Sequence, residues 1–417
     1  MIFFEKKNQR GIEQILSLIS LEDTIKEYEY KDKILEIEKG KMTIRQQSDI
    51  RKKIVYIQKS ENIEYIENFH NVDTCFDIIK MLGRKVRRCE NPLLCILKSG
   101  KKINLQDIHE IENNVKIFSI AYPEYKIECI AVNYREALLL GKGILEKRCF
   151  DHIIVNILKG NTDIGNMIYI AMPSYQQLET DIKKKIEWYK KWIRLRQKTL
   201  QEVKNIKSYF CPADTAAKVI HEIIGHTCEK DIYLERFSTT IKCGKLITNR
   251  NITVYDMAYE KGIITNTLYD DYGKYNEKIK IIDKGILVGL IGASGDRMIG
   301  TFNDELPQIR MRNLFLEGKG KIKSYDEEEY IIINEIRDSY IENKEVVFYV
   351  SKSTLIEKGQ SYRLSEFIIR KPIEYMLNKI YAIEQKGQYS HLFVCRKKGA
   401  ITYLSSCVPP IWINLEV

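Results

Sequence analysis

The residues best suited to chemistry are His221, Glu222 and His226, which occupy one short stretch of AKVIHEIIGHTCEKD in a chain that holds only 6 histidines among 417 residues. Neutral imidazoles are ligands for a divalent metal, and a glutamate beside them is the residue type that takes a proton from water, so the chemistry indicated is metal-assisted hydrolysis. Ala217, Ile220 and Ile224 form an apolar face, and Pro212 suits the first turn of the helix they imply. The histidines and the glutamate are therefore carried on a largely buried helix, where they cost free energy unless partnered. A cation would offset that cost for both imidazoles.

The spacing is unusual. The H-E-x-x-H zinc helix puts its histidines four apart on one face, whereas His221 and His226 are five apart, a rotation of roughly 140° on a regular helix. Gly225, immediately before His226, offers a place for the helix to end or distort, so a broken last turn is expected. Two histidines also leave a catalytic zinc one protein ligand short. The plainer alternative is that both are satisfied by ordinary hydrogen bonds.

The rest of the chain must position this helix. Its length implies two domains, expected at 1–205 and 206–417. A composition of 44% hydrophobic and 30% charged residues is globular, and no run approaches the about 18 apolar residues of a membrane span. The start, MIFFEKKNQRG, lacks a signal-peptide core, so a cytoplasmic location without membrane association is expected. Ten cysteines without a C-x-x-C pair read as reduced thiols, with Cys95 and Cys129 in apolar runs as core residues. The net charge of +10 is spread along the chain. Its densest segment, IKKKIEWYKKWIRLRQK, carries an apolar stripe at Ile182, Ile186, Tyr189 and Ile193, which suits a helix with a solvated basic face better than a nucleic-acid module.

The fold class expected is α+β. In the first half, helices are expected over 11 to about 28, CFDIIKMLGRK, NYREALLLGKGILEK and a long basic helix that Ser174 caps and that runs to about 205. Strands are expected at KILEIEKGK, KKIVYIQ, NPLLCILKSGKK, VKIFSIAY, YKIECIAV, DHIIVNILKGN and MIYIAM. The second half should be mainly antiparallel sheet with one prominent helix, its strands including NITVYDM, KIKIID, ILVGLI, EYIIINEI, EVVFYVS and LSEFIIR.

PADTAAKVIHEIIGHTCEKD resembles the helix of the TldD/PmbA metallopeptidase family, approximately G-P-A-G-V-L-L-H-E-A-V-G-H-x-L-E-G-D, with Glu229 and Asp231 on its acidic positions. The resemblance, to the metal-binding TldD branch, continues in order through ITVYDMAYEKG, YDDYGKYNEKIKIIDKGILVGLI, QIRMRNLFLEGKG and FYVSKSTLIEKG. It ends in CRKKGAITYLSSCVP, similar to a C-G-K-x-G-Q-S-x-P-V-x-x-G-Q-P signature, where Cys395, Gly399 and Pro409 are kept. Departures cluster here: Arg396 replaces a glycine, Ala400 and Ile401 replace Gln-Ser, and Ser405 and Cys407 replace two glycines. The first half also lacks the family's glycine-rich strands.

The resemblance implies His221, His226 and Cys395 as metal ligands and Glu222 as the catalytic glutamate, with Cys228 and Cys407 as competitors off the family's ligand position. The mixed nitrogen and sulfur set favours zinc over iron or cobalt. It implies a peptidase for unstructured or leader-type peptides, acting in a cavity enclosed by a homodimer or by a heterodimer with a TldE/PmbA-like subunit, with maturation of a ribosomally made peptide as one such task. The rival expectations are a catalytically inactive partner subunit and a basic protein that binds acidic peptide or nucleic acid.

Overall fold

The computed structural model describes residues 24–38, 41–59, 62–67, 95–101, 108–140, 144–169, 173–203, 206–260, 263, 265–300, 307–318, 329–383, 388–389, 393–398 and 400–416. The fold mixes helices and sheets, and strands predominate.

An eight-stranded sheet fills the first half. At its centre the strand Lys126–Leu140 pairs antiparallel with Thr24–Glu38 along one edge and with His152–Lys159 and Ile144–Phe150 in succession along the other. That centrality overturns one expectation. Residues 133–147, rich in helix formers, end this strand and begin the next, because hydrogen-bonded neighbours on both edges outweigh intrinsic propensity. The reverse holds for VKIFSIAY, which lies in the helix Ile108–Ala121. Val115 and Phe118 are buried a helical turn apart while Ile117 and Ile120 face solvent, a 3.6-residue period that a β-branched run concealed. The helix expected up to about residue 28 gives way to the strand Thr24–Glu38, since Thr24 to Glu38 pair on both sides. Its residues 11–23, and CFDIIKMLGRK, lie outside the described residues.

The basic helix is Tyr175–Ile193, with the Ser174 hydroxyl accepting from Gln177 N–H at 3.2 Å. It stops at Ile193 rather than near 205, because the chain turns into the short strand Gln197–Lys198, which pairs with Gln360–Leu364. Leu178, Ile182, Ile186, Tyr189 and Trp192 are buried against the first sheet, whereas Ile193 is 38% exposed. Trp192 replaces Ile193 in the stripe, and its indole N–H donates to Ser353 O at 3.1 Å. The lysines lie on the solvated side of a helix packed on its own chain.

The second half holds an eight-stranded and a six-stranded sheet, both mostly antiparallel. Of ILVGLI only Ile286–Leu287 is strand. The helix Ala213–Ile220 contacts the eight-stranded sheet through Glu329–Glu342 and the six-stranded one through Cys407–Val408. Ala216, Ala217, Val219, Ile220, Ile223 and Ile224 join a buried cluster formed by residues from Val203 to Leu415, and a second cluster draws on Ile37 to Trp192. Between the halves, buried Arg148 pairs with Glu136 at 2.9 Å and Glu146 at 2.8 Å from its own sheet and with Asp271 at 3.6 Å from the other half. Among the described residues no helix is long and apolar enough to cross a membrane.

Candidate metal centre

The helix does not break at Gly225. After Ile220 it widens into a single π turn, His221–Gly225, in which His226 N–H returns to His221 O, and it then tightens into a 3₁₀ turn, His226–Cys228. A turn closed by an i→i+5 bond brings residue 226 back over residue 221, where a regular turn would carry it to the side. The two imidazoles consequently lie 4.6 Å apart between centroids, at 77° to each other. Gly225 serves differently from expectation. Its φ of −56° and ψ of −66° are ordinary right-handed helix, so no backbone freedom is used. What matters is the missing side chain, because a Cβ there would stand 2.4 Å from Met311 Sδ and 3.0 Å from Leu314 Cδ1.

Cys395 arrives from far along the chain, on the strand Phe393–Lys397, which forms a hairpin with Ala400–Leu404. Its Sγ lies 3.2 Å from His226 Nε2. One ligand atom from each of His221, His226 and Cys395 falls within 4.8 Å of the others, and all three residues are buried. Cys228 and Cys407 are not in this group. Burial pushes both of their thiols up. Burial acts in the same direction on Cys395, but the charges of His226, His221 and Arg310 outweigh it and hold the thiol well below its usual range. Buried Arg310 also donates to Cys395 O at 3.0 Å.

Glu222, next to His221 in the chain, is nearly fully buried, its Oε1 accepting from Ser339 Oγ at 2.9 Å. On the far side of His226, Nδ1–H donates to Glu229 Oε2 at 2.9 Å, which fixes the tautomer and leaves Nε2 aimed at the thiol. Burial alone would raise the Glu229 pKa, but the neighbouring His226, Lys397 and Arg310 bring it down to about 2. His226 is in turn raised well above its ordinary value; desolvation opposes this, and Cys395 and Glu229 dominate.

A cavity of ≈ 530 Å³ opens onto these groups. His221, Glu222, His226 and Cys395 line it together with the strand residues from Ile336 to Ile341. Residue types and spacing had singled out the helix residues, but Ser339 had no signal of its own, and Lys397, which falls on the lysine of the C-G-K signature, was passed over. For Lys397 a further clue existed: it stands two residues from Cys395 on a strand, hence on the same face.

Comparisons with known proteins bear on the same region. A family model described as the PmbA/TldA metallopeptidase C-terminal domain matches residues 210–415. Metalloprotease MJ0996 of Methanocaldococcus jannaschii is 28% identical over 162 residues, covering 35% of this chain and 36% of that protein, so the chain aligns with only about a third of this relative's length. Among solved structures, TldE from Thermococcus kodakarensis superposes with a TM-score of 0.68 at 11% identity, over 97% of this chain and 98% of that one. A protein described as a candidate modulator of a DNA gyrase from Thermotoga maritima gives 0.65 at 11% identity, over 98% and 99%. At such identity these two structures speak to the fold alone.

Proposed function

The chain belongs to the TldD/PmbA family of metallopeptidases, and on that premise we propose that it is a metal-dependent peptide hydrolase with His221, His226 and Cys395 as ligands and Glu222 as general base. The observation that carries this reading is the convergence of two imidazoles and one thiol within 4.8 Å beside a buried glutamate at the wall of a cavity. The donor set fits a divalent cation, with zinc favoured by its mixture of nitrogen and sulfur. Such a cation supplies Lewis acidity, activating water and polarising a scissile carbonyl.

The chain's own residues do the rest. Glu229 keeps the His226 proton on Nδ1, so Nε2 is free to ligate. Arg310 and the imidazoles stabilise Cys395 as thiolate. Ser339 holds Glu222 Oε1, so that Oε2 can accept a proton from the attacking water and return it to the leaving amine. Residues 336–341 of the strand Glu329–Glu342 form part of the cavity lining, and a strand there suits an extended peptide held by main-chain hydrogen bonds, which agrees with unstructured or leader-type substrates. The division into domains at 205/206 belongs to this reading, as does cytoplasmic action. So does a dimer, with a second copy or a TldE-like subunit, which the similarity to TldE supports. A second reading, carried by the altered residues around Cys395, is an inactive partner subunit.

Metal analysis of the purified chain, with cleavage of a mixed pool of unstructured peptides, separates the two. A stoichiometric cation with cleavage that His221→Ala abolishes is the expected result. A metal-free chain indifferent to His221→Ala and Glu222→Ala would establish the partner reading instead.

A further inference from the structure

The ligands come from two places, a helix and a hairpin strand 169 residues further on. Coordination itself could hold them together, but the structure contains a separate tie. Along the strand Phe393–Lys397, side chains alternate, so Cys395 and Lys397 share one face, and both are buried. The Lys397 ammonium donates to Glu229 Oε2 at 3.0 Å, Asp231 Oδ1 at 2.9 Å and Ile309 O at 2.8 Å, which uses all three of its protons. Glu229 Oε2 is the oxygen that accepts from His226 Nδ1, and Glu229 Oε1 accepts from Met311 N–H at 2.9 Å. One carboxylate oxygen thus joins the ring of one ligand to the strand that carries another.

We infer that Lys397 is a positioning residue, which with Glu229 and Asp231 seats Cys395 against His226 so that the three ligands stand together before any cation arrives. The inference rests on the ligand assignment above. Without Lys397 the buried Glu229 carboxylate keeps His226, the Met311 N–H and the more distant charge of Arg310 but loses its ammonium partner, so burying it costs more. Replacing Lys397 by an uncharged chain of similar length therefore does more than remove a contact: it releases the strand from Glu229, Asp231 and Ile309 O together. Residues that orient a metal ligand in this way are worth about 10- to 100-fold in metal affinity.

The test is Co²⁺ and Zn²⁺ binding to the full-length chain by chelator competition, with the thiolate-to-Co²⁺ charge-transfer band recorded alongside the d–d bands. Lys397→Met should bind about 10- to 100-fold more weakly and lose charge-transfer intensity relative to the d–d bands, as the two histidines bind without the thiolate. Lys397→Arg, which keeps the cation, should recover part of both. A general loss of stability would not change the ratio of the bands. In the metal-free protein, hydrogen exchange of residues 393–397 should quicken in Lys397→Met. Wild-type affinity and an unchanged spectrum in Lys397→Met would overturn the inference while leaving the ligand assignment standing. If the wild-type chain binds neither cation, the assignment fails and the inference with it. Should Lys397→Met not fold, Asp231→Asn, at the partly exposed end of the clamp, decides: weaker binding supports the inference, and unchanged binding overturns it.

Discussion

The imidazoles of His221 and His226 lie 4.6 Å apart although five residues separate them, because the intervening turn is π-helical and His226 N–H reaches back to His221 O. Such a turn is less favourable than a regular one and persists where its surroundings hold it. Met311 and Leu314 pack so closely on this turn at Gly225 that a Cβ there would meet both.

Gly225→Ala should therefore destabilise the protein by about 1–3 kcal/mol through overpacking and weaken metal binding as the turn shifts. Met311 lies at the flexible end of the clash, so Met311→Ala in the Gly225→Ala background should recover stability relative to the sum of the single changes. Urea unfolding of the four proteins in a double-mutant cycle measures this, and strict additivity would show that the two residues do not meet.

Glu222→Gln should leave metal content intact and lower peptide cleavage about 10²- to 10⁴-fold, the usual contribution of a general base. Ser339→Ala, which frees Glu222 Oε1, should lower turnover less than Glu222→Gln does and leave metal content intact. Equal metal loss in Glu222→Gln would place the carboxylate among the ligands instead.

Cys395→Ser should retain the fold but bind Zn²⁺ far more weakly, since a hydroxyl stays protonated where the thiol is held as thiolate. Cys228→Ser and Cys407→Ser, whose thiols lie outside the ligand group, should bind as the wild type does. Chelator competition across the three variants checks both expectations.

His152 predicts a pH effect away from the site. Burial depresses its pKa to about 4, against a hydrogen bond from Nδ1 to Phe150 O at 2.8 Å, and its ring packs edge-on against Tyr403 of the other half. Unfolded His152 takes up a proton near pH 6.5, so between pH 6.5 and 4 the native state binds fewer protons and stability falls as pH drops. The full effect is roughly 3 kcal/mol. Denaturation midpoints of the wild type and His152→Gln should converge across that window as the pH is lowered. A constant difference would show that this imidazole does not titrate on unfolding.

Several features were legible in the sequence because they depend on local chemistry. The apolar face around Ala217, Ile220 and Ile224 announced a buried helix, Ser174 announced a cap, and a rare histidine pair flanking a glutamate announced metal chemistry. Where local preference and position in the sheet conflict, as in residues 133–147 and 115–122, the sequence misleads, because pairing on both edges of a strand or burial on one helical face is decided by residues far away.

The sequence by itself determined two histidines and a glutamate on one buried helix and, through its resemblance to a family, nominated a cysteine to stand with them. Only the tertiary structure decided how they meet. The turn bonded i→i+5 lies under Met311 and Leu314, which leave no room for a Cβ at Gly225, and the Cys395 strand meets the helix's end through a buried ammonium shared by Glu229, Asp231 and a backbone carbonyl. Both are long-range balances of packing and desolvation, which no local spacing encodes.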